Sequence, residues 1–348
     1  MSKLKLYLNI IFISFLFTSF LFSCKNEGLK HEIIPGQTWK DTGGKVINAH
    51  GGGILFHEGV YYWYGEFKGD STYRLEWVKT WECWRADAGG ISCYSSTDLV
   101  HWNFEGIVLP SLPENLSSDL HPSQVIERPK VIYNEKTKKF VMWMHIDSPD
   151  YEKAHAGVAV SDSPTGKFTY VGSIKPNGMD SRDQTLFKDD NGKAYQICSS
   201  DWNKTLNINE LSDDYTCTTG KVKKILEGLD REAPALFKRG DKYYLITSGC
   251  TGWNPNTASY AVADSIFGEW KQKENPCKGK DADSTFFAQS TFVLPVQGKK
   301  DLFIAMFDKW NKTNLISSKY IWLPIEFEGD RPVIRWKDKW QLKVADKE

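Results

Sequence analysis

Five times along this 348-residue chain a charged or glycine turn opens directly into an apolar, aromatic-rich run. The copies are Gly59-Val60-Tyr61-Tyr62, Lys138-Lys139-Phe140-Val141, Gly192-Lys193-Ala194-Tyr195, Asp241-Lys242-Tyr243-Tyr244 and Lys300-Asp301-Leu302-Phe303, with last residues 79, 54, 49 and 59 positions apart. Three further segments echo one another as later strand pairs of the same unit: Ser95-Ser96-Thr97-Asp98 with Trp102, Ser161-Asp162-Ser163 with Phe168, and Ala263-Asp264-Ser265 with Trp270. No apolar period of 3.6 residues is sustained over a helical length. One four-stranded sheet cannot bury both its faces alone, so sheets recurring at this spacing must pack around an axis. The recurrence predicts an all-β fold, a five-bladed β-propeller occupying residues 46–348. The longer first interval holds an insertion, 67–90, rich in Trp, Glu and Arg and long enough to shape a binding site.

Hydrophobic residues at 41% and aromatics at 14% can fill a large core, which excludes a disordered chain. The 44 basic residues balance 44 acidic ones, so nothing draws the chain to a polyanion and nucleic acid is excluded as a partner. Lys3 and Lys5 precede an apolar run from Ile10 to Phe22 that is shorter than the ~20 residues a membrane-spanning helix needs. Residues 1–23 therefore read as a secretory signal. The end Leu21-Phe22-Ser23-Cys24 resembles a bacterial lipobox, with Cys24 lipidated, residues 24–45 a tether, and the protein an exported lipoprotein held to a membrane in the periplasm or on the outer-membrane surface. The six other cysteines form no C-x-x-C pair; Cys83 with Cys93 is the most plausible local disulfide, and buried thiols are the equal alternative.

Two glutamates share one context. Glu127 in Ile126-Glu127-Arg128-Pro129 and Glu232 in Arg231-Glu232-Ala233-Pro234 each precede a proline by two residues and open an apolar strand. In a propeller the innermost strands start at the central channel, so the two carboxylates converge from different blades, with Asp183 of Ser181-Arg182-Asp183 between them. Three carboxylates in an aromatic pocket suit hydrolysis of a glycosidic bond: one acid is kept protonated by burial and a like-charged neighbour, and the others hold sugar and water. For Glu232 the competing structural reading is an ion pair with Arg231 or Lys238. His50-Gly51-Gly52-Gly53 permits close backbone approach, and Trp253 on a Gly-bounded loop could stack on a pyranose or be core. The seven histidines are scattered, so neither a metal site nor a cofactor is expected, although a cation in the propeller channel stays open.

Taken together, Ala49-His50-Gly51-Gly52-Gly53, Glu127-Arg128-Pro129-Lys130, Ser181-Arg182-Asp183, Arg231-Glu232-Ala233-Pro234-Ala235, Thr251-Gly252-Trp253, Ala288-Gln289-Ser290-Thr291 and Tyr320-Ile321-Trp322-Leu323-Pro324 resemble glycoside hydrolase family 43, and within it the exo-β-1,3-galactanase branch. The resemblance runs in order from about residue 45 to 345. It implies an inverting exo-acting enzyme that releases galactose from β-1,3-galactan, the arabinogalactan backbone. It also implies Glu232 as general acid, Asp183 as the group that tunes and orients it, and Glu127 on the hydroxyls of the terminal sugar. Substrate contacts are expected from His50, Gly52, Arg182, Trp253 and Asp308. The Asp that most of the family uses as base has no counterpart in Asn48-Ala49-His50-Gly51-Gly52. The branch places a glutamine near the water, here Gln289, as a water-positioning group whose role as base would need an imidic tautomer; Glu127 is the competing base. The alternatives are an α-L-arabinofuranosidase on the same scaffold and a non-catalytic carbohydrate-binding lipoprotein.

Overall fold

A computed structural model describes residues 32–342; the expected signal sequence, Cys24 and the first part of the expected tether lie outside them. The structure is all-β, 53% strand and 4% helical, with five sheets arranged as the blades of a propeller. Blade I comprises His50–His57, Val60–Arg74, Trp84–Ser96 and Asn103–Pro110; blade II, Val125–Asn134, Lys139–Asp147, His155–Ser161 and Thr169–Ile174. Blade III runs Gln184–Lys188, Ala194–Ser200, Thr205–Leu211 and Thr218–Ile225, and blade IV Arg231–Arg239, Lys242–Gly249, Ser259–Ala263 and Lys271–Lys273. Blade V contains Gln289–Pro295, Phe303–Lys309, Lys319–Glu328 and Arg331–Arg335, and Cys277–Lys278 adds a short parallel edge.

Each of the five recurrent turns begins the second strand of a blade or directly precedes it. These strands are sandwiched between neighbouring blades: Ala194–Ser200 is buried at every position, whereas the outer Lys271–Lys273 is exposed throughout. That gradient explains apolar runs in the inner strands and polar sequences outside.

Every blade takes its four principal strands from one contiguous segment, so the ring is closed by side chains and not by an exchanged strand. At the junction of blades V and I, Trp322 meets Trp63 at 4.8 Å and Trp39 at 4.9 Å, and Trp63 meets Trp102 at 5.3 Å. Tyr320 accepts the Ala49 N–H at 2.9 Å and donates to the Ile47 carbonyl at 3.0 Å. Glu32–Ile33 then pairs with Trp340–Gln341, tying the two ends of the described chain. The expected tether is corrected here: residues 32–45 belong to the folded body because Ile33 and Trp39 pack into its core. Much of the aromatic excess is the material of this seam. Trp322→Ala is expected to lower unfolding stability by about 3–5 kcal/mol, read as a fall in the urea midpoint, since its aromatic neighbours Trp39, Trp63 and Trp102 cannot collapse into an indole-sized hole.

The expected Cys83–Cys93 disulfide is not formed. All six cysteines among the described residues are free, with the Cys83 thiol against the Pro149 carbonyl and that of Cys93 against Pro164. Cys83 sits in the connection at the tip of the long blade I hairpin, just before Trp84–Ser96, whereas Cys93 lies well down that strand and faces Tyr64 across the pair.

Candidate active site

One local device aims the carboxylates into the hub. In blades I, II and IV the inner strand slips register between His50 and Gly53, Glu127 and Lys130, and Glu232 and Ala235. The residue after each leading side chain is left-handed: Gly51 at φ 59°, Arg128 at 54° and Ala233 at 54°. A bulge bends its strand and redirects a side chain. For Arg128 and Ala233, which carry a Cβ, the conformation costs about 1–2 kcal/mol each, and strain repeated at equivalent positions marks a site under functional demand. Blade III has no such slip; Asp183 precedes Gln184–Lys188, and its carbonyl accepts the Ser199 N–H at 2.9 Å.

The result is a cavity of about 710 Å³ to which all five blades contribute. Arg128 organises its floor. Its guanidinium holds both oxygens of Asp183, at 3.1 and 2.9 Å, and donates to the Ser290 carbonyl at 2.8 Å and to Gln289 Oε1 at 2.5 Å. Gln289 Oε1 also accepts from Trp310 Nε1 at 3.0 Å, while its Nε2 donates to Glu232 Oε1 at 2.8 Å and Ser248 Oγ at 3.1 Å. Two donors at the oxygen and two acceptors at the nitrogen fix the amide orientation. Glu232 Oε2 accepts from Asn203 Nδ2 at 2.9 Å. Glu127 accepts the Tyr151 hydroxyl at 2.9 Å, with Lys68 and His145 each at 3.7 Å. Glu127, His145 and Asp183 come within 4.8 Å of one another, but Arg128 and Lys68 already balance these carboxylates with cations of the chain. Nearby, the fully buried Lys130 donates to the Gly51 carbonyl at 2.8 Å, and burial with the Arg128 charge lowers its amine to about 7.

Glu232 makes neither of the ion pairs weighed from the sequence. Arg231 instead bonds Thr247, and Lys238 pairs with Asp189 and Asp190. Burial and the nearby Asp183 charge raise the Glu232 carboxyl to about 8, so it carries a proton at neutral pH. Burial also acts to raise Glu127, but Lys68, His145 and Arg85 outweigh it and hold that carboxyl well below the usual range. His145 is raised to about 9, because Asp147 and Glu127 overcome the effect of burial. One cavity thus holds a protonated and an ionised carboxyl side by side, the pairing that acid–base cleavage requires.

Arg182 and Trp253 line the cavity; His50, Gly52 and Asp308 lie outside its lining. His50 is stacked on Tyr320 at 5.2 Å, and burial with the Lys68 charge lowers it to about 3. Gly52 is a glycine because a Cβ there would lie 2.1 Å from the Tyr64 carbonyl oxygen. Asp308 is buried and accepts the Gly51 N–H at 2.5 Å; its strand, Phe303–Lys309, ends just before Trp310, whose indole lines the cavity.

Sequence reasoning missed Lys68, His145, Tyr151, Trp202, Asn203, Cys250 and Trp310. Most stand on loops or strand ends outside the repeated motif, where no spacing singles them out. The 67–90 insertion extends the Val60–Arg74 and Trp84–Ser96 hairpin over the cavity. Arg85 anchors it to the Pro149 and Gln124 carbonyls at 2.9 and 2.8 Å, and Trp81 reaches Tyr151 at 5.3 Å while abutting Gly252 of blade IV. The arm therefore walls the cavity between blades II and IV.

Residues 54–304 match the glycosyl hydrolases family 43. A β-1,3-galactosidase of that family, solved with galactodeoxynojirimycin, is 44% identical with a TM-score of 0.82, covering 89% of this chain and 100% of that one. An exo-β-1,3-galactanase from Phanerochaete chrysosporium, solved with β-1,3-galactotriose, is 36% identical with a TM-score of 0.80 over 90% of this chain and 69% of that one. The exo-β-1,3-galactanase from Clostridium thermocellum is 39% identical with a TM-score of 0.79 over 90% and 67%. Among curated proteins, a xylan 1,3-β-xylosidase from a Vibrio species is 24% identical over 205 residues, and the match spans only 37% of its length.

Proposed function

From the premise that the chain belongs to glycosyl hydrolases family 43, we propose that it is an inverting exo-β-1,3-galactanase, releasing single galactose units from the non-reducing end of β-1,3-galactan. The observation that carries this reading is Glu232, kept protonated beside Asp183 in a walled cavity, together with relatives at 36–44% identity whose named substrates are β-1,3-galactosides. A cavity walled on one side by the hairpin arm favours a chain end over a chain middle.

In this reaction Glu232 gives its proton to the glycosidic oxygen as the bond from the anomeric carbon to that oxygen breaks and its electron pair stays on the departing sugar. Water forms the new bond to the anomeric carbon from the opposite face, and inversion follows. Both Gln289 Oε1 lone pairs are engaged by Arg128 and Trp310, which is the hydrogen bonding of an ordinary amide and not of an imidic tautomer. We therefore assign uptake of the water's proton to Glu127, the ionised carboxylate not clasped by Arg128. Glu127→Gln is then expected to lower kcat by about 10²–10⁴-fold with a modest change in KM. A large rise in KM with kcat preserved would instead assign Glu127 to gripping sugar hydroxyls.

The deciding experiment is product analysis on β-1,3-galactan and on arabinosyl substrates. Galactose alone from galactan is expected; arabinose release would favour the arabinofuranosidase, and binding without release the carbohydrate-binding lipoprotein. We also propose that the chain is exported and lipidated at Cys24, which predicts palmitate labelling that Cys24→Ala abolishes.

A further inference from the structure

Glu232 is flanked by two amides that differ in freedom. Gln289 is locked, with its oxygen facing two N–H donors, so it can only donate to Glu232 Oε1. The hydroxyl oxygen of a protonated carboxyl is a much weaker acceptor than its carbonyl oxygen, so the bond from Gln289 favours the proton on the other oxygen. The proton of Glu232 therefore belongs on Oε2, the oxygen facing Asn203. Asn203 is not locked: its Nδ2 contacts Glu232 Oε2 at 2.9 Å and Cys250 Sγ at 3.5 Å, while its Oδ1 is buried with no partner among the described residues. This orientation suits an ionised Glu232, since two N–H donors then face its two oxygens. Rotation of the Asn203 amide by half a turn presents Oδ1 to the protonated Oε2 and to the Cys250 thiol, which burial keeps un-ionised by raising it to about 11. Either orientation leaves one end of the amide unpaired, so neither wins on hydrogen bonding alone.

The backbone around Asn203 is built to hold it there. Asp201, Trp202 and Asn203 have φ of 49°, 51° and 65°, three successive non-glycine residues in the left-handed region. This turn, between Ala194–Ser200 and Thr205–Leu211, is clamped by the Arg182 guanidinium over the Trp202 ring at 4.0 Å. Such strain persists where the surroundings over-determine it and commonly serves a function.

We propose that Asn203 is a positioning residue for the general acid: its amide accepts the Glu232 Oε2 proton before cleavage and turns to donate to the same oxygen once the proton has left. This rests on the reading of Glu232 as acid. The charged and titratable groups facing Glu232 are Asp183 of blade III, Arg128 of blade II, Arg231 of its own strand and Cys250 of the following loop; from blade V it meets only the neutral Gln289. The switch therefore adds no charge to the site and acts through hydrogen bonds alone.

The test is a series of aryl β-galactosides graded by leaving-group pKa, with Glu232→Gln, Asn203→Leu and Asn203→Asp beside the parent. A poor leaving group needs its proton and a good one does not. Asn203→Leu is expected to lower kcat/KM roughly 10–100-fold for the poorest leaving group and by no more than about threefold for the best, a steeper slope than the parent's. Asn203→Asp, which can only accept and adds a like charge, is expected to move the alkaline limb upward by about one pH unit or more. Equal loss across the series in Asn203→Leu, or an unmoved limb in Asn203→Asp, overturns the proposal. An unchanged slope in Glu232→Gln would remove Glu232 as acid whatever Asn203 does, so the two failures are told apart.

Discussion

Glutamine at position 232 is expected to abolish most galactan cleavage, lowering kcat by about 10²–10⁴-fold while leaving KM within a few-fold of the parent. The amide keeps the shape of the carboxyl and still accepts from Gln289, so the cavity stays assembled and only the transferable proton is lost. The pH profile of the parent follows from the same group. With its carboxyl raised to about 8 in the free enzyme, kcat/KM should hold through neutrality and fall above about pH 8 as the proton is lost. The raised value also acts on stability. A carboxyl that binds its proton more tightly when folded stabilises the fold fully below its unfolded pKa of about 4.3 and loses that contribution as pH rises to about 8. Glu232→Gln, always neutral, lacks this loss. The Tm of the variant minus that of the parent should therefore grow between about pH 5 and 8. A difference that is flat across that window would mean Glu232 is ionised in the native protein, and its assignment as acid would go with it.

How far the site could be read before the fold was known depended on where each residue stands in the repeat. Glu127, Asp183 and Glu232 were legible because inner strands must begin at the hub, and a carboxylate two residues ahead of proline in two blades is a pattern. The bulges that aim the two glutamates were not legible, since a left-handed Arg128 or Ala233 leaves no mark in composition. His50 stands in the same structural position in blade I, yet it meets Tyr320 and Trp310 and not the cavity. Equivalent position gave the direction of the side chain, and neighbouring blades decided whether it saw water. Asn203 and Trp310 were invisible for a different reason: each works through a hydrogen bond to a residue 29 or 21 positions away, a distance set by the fold. The Trp-rich composition pointed to sugar stacking and to core alike, and the closing seam takes much of it for core.

Arg128 is where fold and chemistry are hardest to separate, and Arg128→Leu is expected to damage both. Its charge spans blades II, III and V at the floor, through Asp183, Gln289 and the Ser290 carbonyl. Removing it strands the mostly buried Asp183 carboxylate, and breaking one side of such a pair costs about 3–5 kcal/mol. The same loss frees Gln289, whose oxygen keeps only Trp310 and whose amide can then turn away from Glu232. Arg128→Lys separates the two effects. An ammonium restores charge against Asp183, so much of the stability should return, measured as the urea midpoint. It cannot reach Asp183, Gln289 and Ser290 together, because that takes three nitrogens in one plane. Galactose release should therefore stay at least about tenfold below the parent even where the fold has recovered. If activity instead returns with stability, the guanidinium serves only as a counter-charge, and the orientation of Gln289 is set by Trp310 and Ser248 without it.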